Sequence, residues 1–498
     1  MRIFKNLISL ALITALLITS IPFSANAENA KGKIYPFVPE VNSYYKEVKD
    51  YIADALRERQ TTIDISQFGI PKEDIIYIYR SVMFDNPDIF YVNSAYVPFK
   101  FNNYYNYIAY LTPQYIFTQS KLPSYIKKFD AACEKYISGI DSSWSDMKKA
   151  LVLHDRIIAG CKYKYQNLKS FTAYSALVTG KSICEGYTRA YSYLLSLVGV
   201  DSKCINNESG GHCWNLVKLG GSWYHVDVTS DDPTPDTIGY VRHKYFLVST
   251  KKLLAYNTKT HAGFKKDVTY ASTYNCTSSK YNSAFFRNIT SQIVYYKNAF
   301  YYFDNDYKGK HISVLYKRKG SSKKKLKVIK DVWRDSRGNR IYGSYCYLCE
   351  ADKYIFFNSK RKIFRYNIST GKIKRIMTLP SVKTMNFVGI QRKDYTIRTA
   401  RLNASKTVYK IVNTIKLSEK YKPSVIPFLK YSSYTHKKGK YFLQKLYYAK
   451  GDTVYKSSNK KVANVSSAGW VKGRKKGSCT ITALNNGKKY KCKVKVIG

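Results

Sequence analysis

The sequence predicts a multidomain α+β protein whose mixed central domain is followed by a strand-rich second half. Three observations carry this. At 498 residues the chain is long enough for several hydrophobic cores. Between Ser182 and Thr229 a helical repeat of apolar residues gives way to two strand-like runs joined by Gly220-Gly221. From residue 263 onward, short aromatic runs alternate with basic turns.

The elements follow in order. Arg2 and Lys5 precede an apolar run from Leu7 to Ile21 and the small-residue pattern Ala25-Asn26-Ala27. Residues 1–27 therefore read as an export signal, with a mature start near Glu28. No later stretch approaches the roughly 20 apolar residues needed to span a membrane. The product is expected to be secreted, extracellular and cell-wall associated rather than integral to a membrane. Residues 28–125 are an N-terminal α+β lead-in: a helix over 41–60, a short strand or turn at 61–67, a helix over 71–83, a stop at Asp85-Asn86-Pro87-Asp88, and aromatic strands at 90–92 and 104–111. Residues 126–262 hold the central domain. Its helix from Ser145 carries Met147, Ala150, Leu151, His154 and Ile158 on one face, which marks His154 as a satisfied core histidine. Tyr163 and Tyr165 come next, and packing is preferred for them over a phenol aimed at an oxyanion.

Ser182-Ile183-Cys184-Glu185 reads as a capping box opening a helix whose buried face is Tyr187, Tyr191, Leu194, Leu195 and Val198, ended by Gly199. This puts Cys184 in a first turn, where free N–H groups and the helix dipole favour a thiolate. Runs 212–219 and 222–229 read as a hairpin with Leu219 opposite Ser222. That register sets Trp214 opposite Asp227 and makes His212 and Asp227 diagonal neighbours on one face. Val217, Tyr224, Val226 and Val228 fall on the other face, toward a core, as does Cys213, which is expected to be structural. His225 shares the face of His212 and is expected to be satisfied by a neighbouring polar group. A thiolate nucleophile, an imidazole to move its proton and a carboxylate to fix the imidazole make a thiol acyl-transfer site. Cys184, His212 and Asp227 are the candidate catalytic residues.

These motifs carry a resemblance. Ala176-Leu177-Val-Thr-Gly180, Cys184-Glu-Gly-Tyr187, His212-Cys-Trp-Asn215, Trp223-Tyr-His-Val-Asp227-Val-Thr229 and Arg242-His-Lys-Tyr-Phe246 resemble the transglutaminase-like superfamily, whose fold is related to papain-type thiol enzymes. The resemblance implies Cys184 as nucleophile, His212 as general base and acid, and Asp227 as its orienter, with no cofactor or metal. Two departures are visible: Cys213 replaces the small residue common after the histidine, and Ser230 stands where tryptophan is frequent.

Residues 263–422 read as a basic, aromatic β-meander, propeller-like in one alternative: 300–303 and 312–316 are echoed by 354–357 and 363–366, with a weaker copy over 395–415. Lys323-Lys324-Lys325 is read as a solvated loop. Residues 423–498 resemble the group 2 bacterial Ig-like domain, a β-sandwich, through Lys456-Ser-Ser-Asn459, Lys461-Val-Ala-Asn-Val465, Gly469-Trp-Val-Lys-Gly473, Gly477-Ser-Cys-Thr-Ile-Thr-Ala483 and Tyr490-Lys-Cys-Lys-Val-Lys-Val496. The resemblance implies a spacer or an adhesive module.

Of ten cysteines, reserving Cys184 leaves nine, so complete pairing within one chain is impossible. Cys479 and Cys492 face each other if 485–486 is a two-residue loop, and do not if the loop runs from 485 to 488. The lone Cys346-Tyr-Leu-Cys349 points away from zinc. Charge is lopsided: residues 263–498 hold 54 of 84 Lys and Arg but 10 of 33 acidic residues, a net +44 within the chain's +51. Such a half-chain is drawn to anionic wall or extracellular polymers. No specific nucleic-acid module accompanies the charge. The function expected is therefore an exported thiol acyltransferase or hydrolase acting on protein or peptide amides at the cell surface. The rivals are a secreted cysteine protease and a non-catalytic surface protein that binds wall polyanions through a vestigial enzyme domain.

Overall fold

The computed structural model describes residues 43–498 except 208–210, 257–260, 262–275, 306–311, 331–332, 335–339, 342–345, 352, 360, 380–386, 394–395, 403–407, 417–426, 430, 432, 448 and 450. The expected export signal, the first residues of the first expected helix, the boundary at 262/263 and the start of the third meander copy lie outside the described residues.

The lead-in folds as a helix pair, Ser43–Arg57 against Lys72–Asp85, beside a three-stranded sheet with Tyr107–Leu111 between Ile63–Asp64 and Phe99–Asn102. Residues 90–92 form no strand: only Val92 bridges to Tyr115, and Phe90, Tyr91 and Val92 are all buried. Helix Leu122–Ile137 then crosses into the central domain, where helix Asp146–Gly160 starts after Ser145 as its spacing predicts. Val48, Ile78, Phe90, Leu151, Tyr187 and Leu194 belong to one continuous buried cluster, so the lead-in and the central helices share a core. Full burial of each such side chain contributes about 1.5–3 kcal/mol.

A wide turn at Ser175–Thr179 ends on Gly180, whose φ of 67° and approach to the Gly160 carbonyl (2.7 Å from a built Cβ) demand glycine. Helix Cys184–Leu197 follows and buries Tyr187, Tyr191, Leu194 and Leu195 as the sequence predicts. Its face packs on a four-stranded antiparallel sheet running Ser202–Asn207, His212–Leu219, Ser222–Val226, Phe246–Val248 in spatial order.

The basic half begins with two four-stranded meanders and a three-stranded one, each with strands in chain order. The echo between 300–316 and 354–366 thus corresponds to equivalent strand pairs in successive sheets. Lys323–Lys325 is not a loop: it sits in strand Ser322–Ile329, paired with Ser313–Lys319. Lys323 Nζ stands over the Tyr316 ring, 3.7 Å from its centroid, and 3.8 Å from Asp304. The final domain pairs Gly477–Asn485 with Lys488–Ile497 around Asn486-Gly487, both at positive φ, as a two-residue hairpin turn requires. The register places Cys479 opposite Val494 and Ile481 opposite Cys492, so the cysteines are diagonal rather than opposed and both are free thiols. Cys346 and Cys349 form no disulfide among the described residues and belong to different buried clusters, as opposite strand faces predict.

Candidate active site

Cys184 is the first residue of its helix, one position from the predicted place and without the predicted capping box. Ile183 is the N-cap and makes no side-chain cap bond; Ser182 instead lies in a short parallel strand pair and donates its hydroxyl to the Ser170 carbonyl at 2.7 Å. Glu185 turns toward the lead-in, where Ser94 Oγ donates to it at 2.5 Å and Arg80 approaches to 3.6 Å, as does Arg189 one turn along its own helix. Its charge is thereby spent on arginines rather than set against a thiolate. Gly186 is needed for closeness: an added Cβ would collide with Ser182 Oγ and lie 2.8 Å from the Ser170 and Thr172 carbonyl oxygens.

The hairpin has the predicted register from Leu219–Ser222 to Asn215–Val226. It stops there. Asp227 leaves the strand and caps a short helix, Val228–Asp231, by accepting the Ser230 N–H at 2.9 Å through Oδ1. The expected pairs Trp214–Asp227 and His212–Thr229 therefore do not form, yet Asp227 Oδ2 still meets His212 Nε2 at 2.8 Å. The Cys184 thiol lies beside the imidazole, close enough for each group to shift the other. The three candidate residues thus converge, with Cys184 half-buried and the other two buried.

Electrostatics match the geometry. The adjacent Cys213 thiol, opposed by burial and aided by His212, holds the Cys184 thiol well below its ordinary value. Burial resists a charged His212, but the Asp227 carboxylate and the thiolate raise it to about 10. Asp227 is held far below the usual carboxylate range: burial pushes it up, and the His212 and His261 contacts outweigh that. Both shifts favour a thiolate–imidazolium pair.

Two neighbours escaped the sequence reading. His261 Nε2 also bonds Asp227 Oδ2 at 2.8 Å, is buried, and sits against the Trp214 and Tyr245 rings with centroids 5.1 Å away. It lies 34 residues beyond Asp227 with no motif around it, so only tertiary structure brings it in. Cys213 is buried as expected but touches the nucleophile, its own thiol driven well up by burial and by the Cys184 charge. His225 and His154 are satisfied by polar neighbours, as expected. His225 accepts from Trp214 Nε1 and donates to Thr250 Oγ1, both at 3.0 Å, and burial with the nearby His261 lowers it to about 3. His154 bridges Asp155 at 2.8 Å and Asp231 at 3.2 Å in full burial. Tyr163 is half-exposed, and burial plus the Cys184 charge keep its phenol protonated near the sulfur. His212, Asp227 and His261 have the donor types of a metal site, but a single carboxylate oxygen between two ring nitrogens at 2.8 Å is hydrogen-bond geometry.

Residues 134–228 match the family model of the transglutaminase-like superfamily, and residues 443–496 that of the bacterial Ig-like domain (group 2). The central domain is transglutaminase-like. No curated protein matches the chain. Among solved structures the chain is similar to a TGase at 12% identity, covering 30% of this chain and 47% of that one, with a TM-score of 0.19. It is similar to domains 4 and 5 of the S-layer protein SbsC at 21% identity, covering 21% and 65%, with a TM-score of 0.14. A third similarity is to the extracellular domain of the one-component system BT4673 from B. thetaiotaomicron, at 12% identity, covering 57% and 49%, with a TM-score of 0.20. This chain thus spans less than two thirds of each of those chains. The family match ends at Val228, so the transglutaminase-like motif includes Cys184, His212 and Asp227 but not His261.

Proposed function

We propose that the transglutaminase-like domain catalyses thiol-dependent acyl transfer on protein or peptide carboxamides outside the cell. One observation carries the reading: a helix-start cysteine within reach of an imidazole whose far nitrogen is bonded to a buried carboxylate at 2.8 Å. The Cys184 thiolate attacks the amide carbon, and the first-turn N–H groups of its helix face the developing oxyanion. His212 gives its proton to the leaving ammonia or amine, and a thioester remains on Cys184. His212 then takes a proton from water, giving hydrolysis or deamidation, or from an acceptor amine, giving an isopeptide bond. Asp227 holds the imidazole's orientation throughout. The extracellular setting is supported by the leader-like residues 1–27 and the bacterial Ig-like domain. Among the described residues no helix is long and apolar enough to cross a membrane.

Incubation of wild type and Cys184→Ala with glutamine-containing proteins and a labelled amine, followed by mass spectrometry for deamidation, cross-links and cleavage, tests this. Products that require Cys184 are expected, with His212→Ala reducing them by about 10³-fold or more. Equal products from both proteins, or none, would sink the proposal. Cleavage without deamidation or amine incorporation would move it to the protease reading.

A further inference from the structure

The C-terminal domain presents a face that its fold does not require. Its four-stranded sheet runs Ser433–Lys437, Lys488–Ile497, Gly477–Asn485, Val454–Ser457 in spatial order. Cys479, Ile481, Ala483, Cys492, Val494 and Val496 point inward and are buried. The alternate residues Lys491, Lys493 and Lys495 point outward and are exposed. They form a straight row with about 6.8 Å between successive Cα atoms. Hydroxyls flank the row. Lys493 lies between Thr480 and Ser433, Lys495 between Ser478 and Thr435, and Lys491 pairs with Thr482. No Asp or Glu occurs on any of the four strands, and residues 423–498 hold 18 Lys and Arg against one acidic residue, Asp452. Among the described residues none of the three lysines makes an ion pair.

Lysines often guard sheet edges against unwanted pairing. That explanation fails here, because Lys488–Ile497 has a neighbour on each side. Three like charges stacked on an interior strand repel one another and gain nothing from the fold. An anionic partner reverses the sign of that interaction.

We infer that this face is a docking site for a linear polyol-phosphate polymer, its successive phosphates seated along Lys491, Lys493 and Lys495. The Ser and Thr hydroxyls supply further donors to phosphate oxygens. Lysine meets each phosphate as a point charge, free to follow a flexible polymer along the row. The outward positions of the two central strands carry no aromatic ring, so the face offers no stacking surface for nucleic-acid bases. This inference is independent of the acyl-transfer reading: a polymer held at the Ig-like domain needs no catalysis.

The test titrates the full-length protein with poly(glycerol phosphate) across a salt series. A triple variant, Lys491→Gln, Lys493→Gln and Lys495→Gln, is compared with an equal-charge control on exposed turns of the same domain, Lys460→Gln, Lys461→Gln and Lys475→Gln. Melting curves establish that both remain folded. The ladder variant is expected to lose at least about 10-fold in affinity and to flatten the log–log salt slope by about 2. The control keeps most of both. The charge-neutral pair Thr435→Val and Thr480→Val is expected to weaken binding as well. Equal losses in ladder and control would mean bulk charge alone and overturn the proposal. So would no binding at low salt, or equally tight binding of polyglutamate or single-stranded DNA. Cys184→Ala should bind as wild type, so failure of the catalytic reading would show separately.

Discussion

His212 and His261 bond the same oxygen of Asp227, which makes the carboxylate a shared acceptor rather than the end of a relay. In the proposed reaction His261 acts only through Asp227, as a positioning residue. A hydrogen bond to a charged group is worth about 1.5–3 kcal/mol, so His261→Ala should lower kcat by about 10- to 100-fold with KM little changed. His261→Gln, which restores a donor, should recover part of the loss; a fall in stability with kcat intact would argue for packing alone. Cys213 allows a second prediction. Its thiol is the largest influence holding Cys184 down, so Cys213→Ala should move the acid limb of Cys184 alkylation to higher pH. An unmoved limb would show that His212 suffices. Cys184, His212 and Asp227 were legible because each lies in a local motif that also sets its backbone geometry. His261 and the proximity of Cys213 were not, because they depend on how separate segments close over the sulfur.

At the scale of elements, the short helix Val228–Asp231 links the site to the core. Asp227 caps it, while Asp231 near its end accepts from the Tyr245 N–H at 3.0 Å and faces His154 at 3.2 Å. His154 therefore ties helix Asp146–Gly160 to the segment that orients the triad. Burial opposes its charge, but the Asp155 and Asp231 contacts raise it to about 9. A raised folded value means the stabilisation is fully present below the unfolded value near 6.5 and is lost as pH rises through about 9. The shift corresponds to roughly 3 kcal/mol. Wild type should thus lose melting temperature between pH 7 and 9, and His154→Gln should show a flatter profile from a lower start; parallel profiles would remove His154 as the cause. The helix and hairpin were readable from periodicity and the Gly220-Gly221 turn. Where the strand ended was not: Asp227 suits a strand pair and a helix cap alike, and packing of the downstream segment decides. Ser182 failed in the same way, because its hydroxyl had a better partner in the Ser170 carbonyl than in its own helix.

At the scale of the molecule, contacts far apart in sequence join the central domain to the meanders. Arg156 donates to Glu350 Oε1 at 2.6 and 2.9 Å and to the Tyr136 and Ser138 carbonyls, and Asp155 accepts the Ile293 N–H at 2.7 Å. Glu350→Ala leaves a partly buried guanidinium with carbonyl partners only and should cost about 2 kcal/mol in urea unfolding. A neutral result would mean that the meander packs without this link. Sequence showed the strand-rich character and the charge imbalance of this half. It did not show the sheet boundaries, because repeated aromatic strands with similar turns fit several groupings equally well.

At the centre is a Cys184 held toward thiolate by Cys213 and His212 together. The most direct measurement is the pH dependence of Cys184 alkylation by iodoacetamide, followed peptide by peptide in the full-length protein. Wild type should react at a nearly constant rate well below the ordinary thiol value of about 8.5, and His212→Ala should shift reaction up to or beyond that value. A wild-type Cys184 that titrates like an ordinary thiol, with His212→Ala indistinguishable from it, would contradict the account.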